Sequence, residues 1–197
     1  MTDIVFNTEY AAFPQMFEER KPGLTPRPDK CSGYGLGELI KGMKKPVGVE
    51  IGLAEGFTTE FLMESNENLK LYCIDPFENY VDWNGNNLND RHRVYEEFLE
   101  RTKKFGDRVN LIRKFSDDAV ADIKDNSLDF IFIDGLHTYD QVTKDMNNYY
   151  SKVKKGGIFA GHDYSVISAI HKAVNEFADG KKKKILTTEC DVWYWYK

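Results

Sequence analysis

Two short stretches hold most of the titratable side chains that could act together. One is Asp134-Gly135-Leu136-His137, with Tyr139 and Asp140 just beyond. The other is His162-Asp163-Tyr164. An imidazole with its ordinary pKa near 6.5 takes up a proton at neutral pH. His137 first, and His162 second, are therefore candidate general bases. The alternative for each is a structural hydrogen bond that ties a loop to a strand end. His92 belongs less certainly to the same region. A third stretch, Val47 to Phe61, reads VGVEIGLAEGFTTEF and contains Glu50-x-Gly52-x-x-x-Gly56. Glycine lets a backbone turn sharply and approach a ligand closely. A helix opening at about Thr58 would present unpaired N–H groups to that ligand. The dinucleotide spacing G-x-G-x-x-G would need glycine at 52, 54 and 57, where the chain has Gly52, Ala54 and Phe57.

These residues need a frame. Val47, Val49 and Ile51 alternate as a short buried strand. Leu69 to Asp75 reads as a second buried strand ending in a carboxylate. Asp75 lies 23 residues after Gly52, where an acid can accept hydrogen bonds from ribose hydroxyls. Residues 77–90 form a long, asparagine-rich loop, expected to be part of a substrate lid carrying Tyr80 and Trp83. Arg91 to Phe105 reads as a helix and Val109 to Ile112 as a strand. Ser116 looks like an N-cap followed by Asp117 and Asp118. Leu128 to Asp134 is nearly all apolar, as in a central parallel strand. Tyr139, Val142, Met146, Tyr149 and Val153 recur at helical spacing. Lys154-Lys155-Gly156-Gly157 reads as a turn before a strand from Ile158 to Ala160. A helix bearing Val166, Ile170, Ala173, Val174 and Phe177 stops near Gly180. Ile185 to Thr188 and Val192 to Tyr196 close the chain as an antiparallel hairpin. Strands alternating with helices predict an α/β, doubly wound, mostly parallel seven-stranded sheet with that C-terminal antiparallel hairpin. The two acid–histidine stretches then converge at carboxyl ends of neighbouring strands.

The Glu50-x-Gly52-x-x-x-Gly56 stretch resembles the first motif of class I S-adenosylmethionine-dependent methyltransferases, which have a Rossmann-like sheet of this order. The resemblance covers about residues 47 to 197. It implies that Glu50, Gly52 and Gly56 hold the methionine part of S-adenosylmethionine, that Asp75 holds its ribose, and that Ser116 and Asp117 face its adenine. Plain helix capping is the alternative for that last pair, as it is for Asp134 at the helix starting near Tyr139. FIDGLHTYDQVTKDM and KKGGIFAGHDY resemble a subfamily of small, often metal-dependent O-methyltransferases. That implies a divalent metal on Asp134, His162 and Asp163, with Asp134 also lining the cofactor site. Magnesium prefers oxygen ligands, so histidine at 162 is a departure that points toward manganese or a softer ion. Methyl transfer asks for an acceptor hydroxyl placed beside the sulfonium methyl, and for removal of its proton.

The totals fit that picture. A chain of 197 residues, 41% hydrophobic and 30% charged, is sized for one globular unit. Residues 47–197 form the expected cofactor-binding domain, and residues 1–46 an arm with a leading helix. The formal charge of −5 gives no general pull toward nucleic acid, and Lys181 to Lys184 reads as a solvated loop. No apolar run is long enough for a membrane span. No signal peptide is expected, and three widely spaced cysteines match no zinc pattern or disulfide framework. A cytoplasmic enzyme with a small-molecule or sugar substrate follows as the expectation, with a homo-oligomer left open. Two rivals remain. One is a nicotinamide (NAD)-dependent oxidoreductase, disfavoured by the glycine spacing and the terminal hairpin. The other is a methyltransferase-like fold that binds a nucleotide or a partner without catalysis.

Overall fold

The computed structural model describes residues 32–82 and 84–197. Most of the leading arm and Trp83 lie outside them. The strands form where apolar side chains alternate between two buried faces. They are β1 (Val47–Ile51), β2 (Lys70–Ile74), β5 (Val109–Ile112), β6 (Leu128–Ile133) and β7 (Val153–Gly161), joined by β8 (Leu186–Thr188) and β9 (Val192–Tyr196). A two-residue pair, β3 (Tyr80–Val81) and β4 (Asn87–Leu88), stands apart. The main sheet has seven strands in the order β5-β2-β1-β6-β7-β9-β8. The first five are parallel, and β9 runs antiparallel between β7 and β8. This is the sheet the sequence predicts.

The period of two is visible in β6. Ile131 and Ile133 face one core, and Phe130 and Phe132 the other. The first core is closed by α4 (Ser116–Ala119), α5 (Tyr139–Tyr150) and α6 (Ser168–Gly180), through Ala119, Met146, Tyr149 and Val174 among others. The second is closed by α1 (Tyr34–Ile40), α2 (Phe57–Ser65) and α3 (Arg91–Thr102), through Leu36, Ile40, Leu62 and Phe98. Helices on both faces are what a parallel sheet buried on both sides requires. Leu36 and Ile40 are fully buried, so the leading helix belongs to the body that carries the site.

In the 77–90 segment Phe77 is buried against Tyr95 and Phe98, and the β3–β4 pair folds the loop back on itself. One local expectation changes. Lys154-Lys155-Gly156-Gly157 is not a turn before a strand but an irregular stretch inside β7. Gly156 has φ +80°, and the β6–β7 register shifts there between Leu128 and Phe130. The stretch stays in the sheet because Gly156 N–H donates to Lys197 O at 3.1 Å and Lys197 N–H donates to Gly157 O at 2.9 Å.

Candidate active site at the carboxyl ends of the strands

The chain leaves β1 toward α2 on one face and β6 toward α5 on the other. Between two such diverging connections a parallel sheet opens a crevice. Here the crevice is a cleft of about 1050 Å³. Glu50, Gly52, Asp75, Ser116, Asp117, Asp134, His137, His162 and Asp163 all line it. Gly56 lies outside the lining, at the start of α2. His92 is exposed on α3 beside Glu96, away from the cleft.

Gly52 is fixed by packing as well as by conformation. Its φ is +84°, and a Cβ there would sit 2.2 Å from the Asp134 carbonyl oxygen. The β1 and β6 ends can approach this closely only with glycine at that position. Gly52 N–H donates to Ile74 O and Asp134 N–H to Ile51 O, each at 2.9 Å, so three strand ends are held in register.

Glu50 sits beneath this turn and is 0% exposed. Its Oε2 accepts a 2.6 Å hydrogen bond from Thr59 Oγ1. Its Oε1 is buried, with no partner among the described residues. Burial pushes the Glu50 carboxyl well up, and the nearby negative charges of Asp134 and Asp75 add to this, against the Thr59 hydrogen bond. A buried carboxylate with an unused oxygen in a cleft wall lacks a cation or an N–H donor.

Asp75 is differently placed. Its Oδ2 accepts from Leu53 N–H (3.0 Å) and its Oδ1 from Phe77 N–H (2.7 Å). Arg91 Nη2 reaches both oxygens, at 3.2 and 3.0 Å. A carboxylate offers about four acceptor positions, and these contacts fill them. Ribose hydroxyls would have to displace Arg91. The guanidinium lies 5.6 Å from the ring centres of both Phe77 and Tyr80.

Ser116 is not an N-cap. Phe115 holds that position, and Ser116 is the first residue of α4. Its Oγ instead donates to Asp145 Oδ1 at 2.6 Å and accepts from Gln141 Nε2 at 3.2 Å. Its carbonyl accepts from Tyr149 Oη at 2.8 Å. Asp117 is exposed and accepts from Asn148 Nδ2 at 3.0 Å. Thr138, rather than Asp134, caps α5, accepting from Gln141 N–H.

Asp134, His162 and Asp163 offer one ligand atom each, all within 4.8 Å of one another. His162 Nδ1 lies 3.0 Å from Asp163 Oδ1 and 3.6 Å from Asp134 Oδ1. His137 Nε2 lies 3.0 Å from Asp163 Oδ2 and 3.3 Å from Asp134 Oδ1. Burial disfavours charge on His162, but Asp134 and the hydrogen bond to Asp163 outweigh it and raise its pKa to about 9. Burial opposes charge on His137 too, and the hydrogen bond and charge of Asp134, with Asp163, raise it net. The sequence suggests neutral imidazoles; the two neighbouring carboxylates favour the protonated form of His162. Trp193 Nε1 donates to His162 O at 3.2 Å, and Asp191 accepts from Ser165 N–H at 3.0 Å. The β8–β9 hairpin thus braces the cluster from outside.

Residues 49–164 match the family model described as a methyltransferase domain. The chain belongs to the methyltransferase domain family. A relative within reach of sequence comparison is the uncharacterized protein R132 of Acanthamoeba polyphaga mimivirus. It is 33% identical over 147 residues, covering 68% of this chain and 61% of that protein. The chain thus spans about three fifths of the length of that relative. Among solved structures, the O-methyltransferase from Bacillus cereus in complex with SAH (S-adenosylhomocysteine) superposes with a TM-score of 0.60 at 14% identity, over 88% of this chain and 84% of that one. The O-methyltransferase NovP superposes with a TM-score of 0.56 at 16% identity, over 77% and 72%. At these identities the likeness is one of fold. The matched span includes the Glu50–Gly52–Gly56 turn that the sequence singles out. Arg91, Gln141 and Asp145 in the cleft lining, and the buried Thr59 that holds Glu50, are the residues that sequence reasoning missed.

Proposed function

We propose that this chain is an S-adenosylmethionine-dependent methyltransferase acting on a hydroxyl of a small molecule or sugar. The observation that carries the proposal is the buried, unpartnered Glu50 Oε1 in the wall of the cleft. A cofactor ammonium supplies both the charge and the N–H donors this oxygen lacks. Gly52 lets the strand ends above it close up without a side chain between them, and Gly56 takes φ +82° at the start of α2. When bound, S-adenosylmethionine supplies an electrophilic methyl group. Asp134, His162 and Asp163 would hold a divalent cation, two carboxylates and one imidazole suiting manganese, iron or zinc over magnesium. That cation would supply a lowered pKa for the acceptor hydroxyl.

The chain's own part is to bind, to orient and to move one proton. His137, between Asp134 and Asp163, is the candidate base, because its Nε2 faces the cluster. Leu136 and Val166 present apolar surface at the cleft beside it, suited to shield an acceptor from water. The names of the Bacillus cereus enzyme and NovP support oxygen as the acceptor atom. We also infer a cytoplasmic setting, where the buried thiol of Cys73 would stay reduced. No helix among the described residues is long and apolar enough to cross a membrane.

Calorimetric titration with S-adenosylmethionine, S-adenosylhomocysteine and NAD, with a Glu50→Ala control, tests the proposal. Micromolar binding of the first two, lost in the control, is expected. Binding of NAD instead, or of none, would overturn it.

A further inference from the structure

The fold sorts charge between the two edges of the sheet. The cleft, at the carboxyl ends of the parallel strands, has Glu50, Asp75, Asp134 and Asp163 in its lining. The opposite edge gathers lysines from three segments. Lys154 and Lys155 open β7, Lys181 to Lys184 follow α6 and lead into β8, and Lys197 follows β9. Because β9 runs antiparallel to β7, it ends where β7 begins. In sequence the run of four lysines is a solvated loop in a chain of net charge −5. Folding adds the other lysines to it.

Most of this charge is uncompensated. Lys154 is paired with Asp129, and the neighbouring Lys152 with Asp125. Lys155, Lys181, Lys182, Lys183, Lys184 and Lys197 make no ion pair among the described residues. Three of them are held in place by other means. Lys183 Nζ donates to Tyr196 O at 2.9 Å and Lys197 Nζ to Val153 O at 2.8 Å. The Lys181 and Lys197 ammoniums lie 4.8 and 4.9 Å from the centre of the same ring, that of Tyr150. Burial pushes the Lys197 ammonium toward its neutral form, and the charges of Lys181 and Lys183 add to this, against Asp125. Asp125 is itself committed to Lys152 and Ser151. Fixed ammoniums that repel one another are a surface built for an anion.

We propose that this edge binds the phosphate backbone of a single-stranded nucleic acid, without reading its sequence. The cluster is built of lysine alone. An ammonium is a compact point charge suited to phosphate, and it lacks the planar fork with which arginine reads a guanine. The ammoniums also lie at different depths, since Lys155, Lys181, Lys182 and Lys184 are exposed while Lys183 and Lys197 are half-buried. A flat lipid surface meets only the outermost of them, whereas a flexible strand can follow them all. Tyr196, 51% exposed beside Lys183, offers a base one ring to stack on. A membrane would call for a whole apolar face to insert at this edge. The cleft lies a strand's length away, about 17–20 Å, so a nucleic acid bound here leaves it open and fixes where the protein sits.

The test is fluorescence anisotropy of a labelled oligouridylate of about 20 nucleotides, longer than one such site covers, titrated with the full chain at several salt concentrations. A Kd of about 1–100 µM at physiological salt is expected. The log–log salt slope should be about 3–4, each neutralised phosphate of a single strand contributing about 0.7. Replacing both Lys182 and Lys184 with glutamine should lower the slope by about 1.4 and weaken binding about tenfold. Both side chains are exposed and unpaired among the described residues, so the Tm should not move. Arginine at the same two positions should keep the slope. Adding Lys181→Gln, Lys183→Gln and Lys197→Gln should abolish measurable binding; if that variant does not fold, the double variant decides. A wild-type protein that does not bind, or whose binding ignores salt or the loss of Lys182 and Lys184, overturns the proposal. Tighter binding to phosphatidylserine-containing vesicles than to oligouridylate overturns it in favour of a membrane surface.

Discussion

Replacing Glu50 with glutamine keeps its shape and removes its charge, and the consequences separate cleanly. In the cofactor-free protein Glu50 is fully buried and has one unused oxygen. Its pKa is raised, so the folded protein holds that proton more tightly than the unfolded chain does. Stability must therefore fall as pH climbs from about 4.5 toward the raised pKa, and Glu50→Gln removes that part of the slope. The variant should melt at or above the wild-type temperature at pH 7.5. Cofactor binding goes the other way. An ammonium facing an amide instead of a carboxylate loses about 2–3 kcal/mol, or about 30- to 150-fold in Kd. At a ligand concentration of about 100 times the wild-type Kd, wild-type protein gains about 2.7 kcal/mol. A variant weakened about a hundredfold gains only about 0.4 kcal/mol by the same relation. For a domain of this size that is a rise in Tm of roughly 5–11 °C against about 1–2 °C. Thermal denaturation with and without S-adenosylhomocysteine measures both. If Glu50→Gln keeps the full ligand-induced rise, the carboxylate does not hold the cofactor. If instead its cofactor-free Tm drops by several degrees, Glu50 is a structural acid.

Three further outcomes are expected. Arg91→Ala strands the Asp75 carboxylate, which is buried and shares its charge with Arg91 at 3.0 Å, and should cost about 3 kcal/mol by urea denaturation; an unchanged midpoint would show that Leu53 and Phe77 N–H suffice. Asp145→Asn should raise stability at pH 8 by at most about 3 kcal/mol, the free-energy equivalent of a pKa moved from 3.8 to about 6. Because that pKa is raised, the penalty is absent near pH 4, so the gain should vanish there; equal effects at both pH values would refute the electrostatic account. Manganese or zinc should raise Tm more strongly as pH rises toward 9, since His162 must lose its proton to bind a cation, and Asp163→Asn should abolish the effect. Without a cation the protonated His162 helps the fold most below about pH 6.5 and that help is lost through about pH 9.

The sheet was legible because its signals are local. Alternation in residues 47–51 and 128–133, and short connections, leave few topologies open. The residues that converge in the cleft were legible for the same reason, since strand ends of a parallel sheet share one edge. What escaped depends on contacts distant in sequence. Ser116-Asp117-Asp118 has the composition of a cap, but the Ser116 hydroxyl is drawn away by an acid 29 residues on. Lys154 to Gly157 has the composition of a turn, but pairing with Lys197 keeps it in the sheet. Two misses left a trace. Asp145 interrupts the apolar spacing Val142, Met146, Tyr149, where a core helix has no use for an acid. Arg91 opens α3 at the positive end of the helix dipole, an unfavourable place for a cation unless a tertiary partner compensates. Asp75 is that partner.

The position of β9 has a consequence for how the protein is made. All four side chains of the acid–histidine cluster are synthesised before residues 191–196. Yet those late residues insert between β7 and β8, hold the His162 carbonyl through Trp193, and hold Ser165 through Asp191. A nascent chain reaching only residue 185 would carry every acid and imidazole of the cluster, and still expose the apolar β7 as a bare sheet edge. Such edges recruit other chains. Activity should thus arrive late and all at once, while the interval before it is when the chain most needs protection from its neighbours.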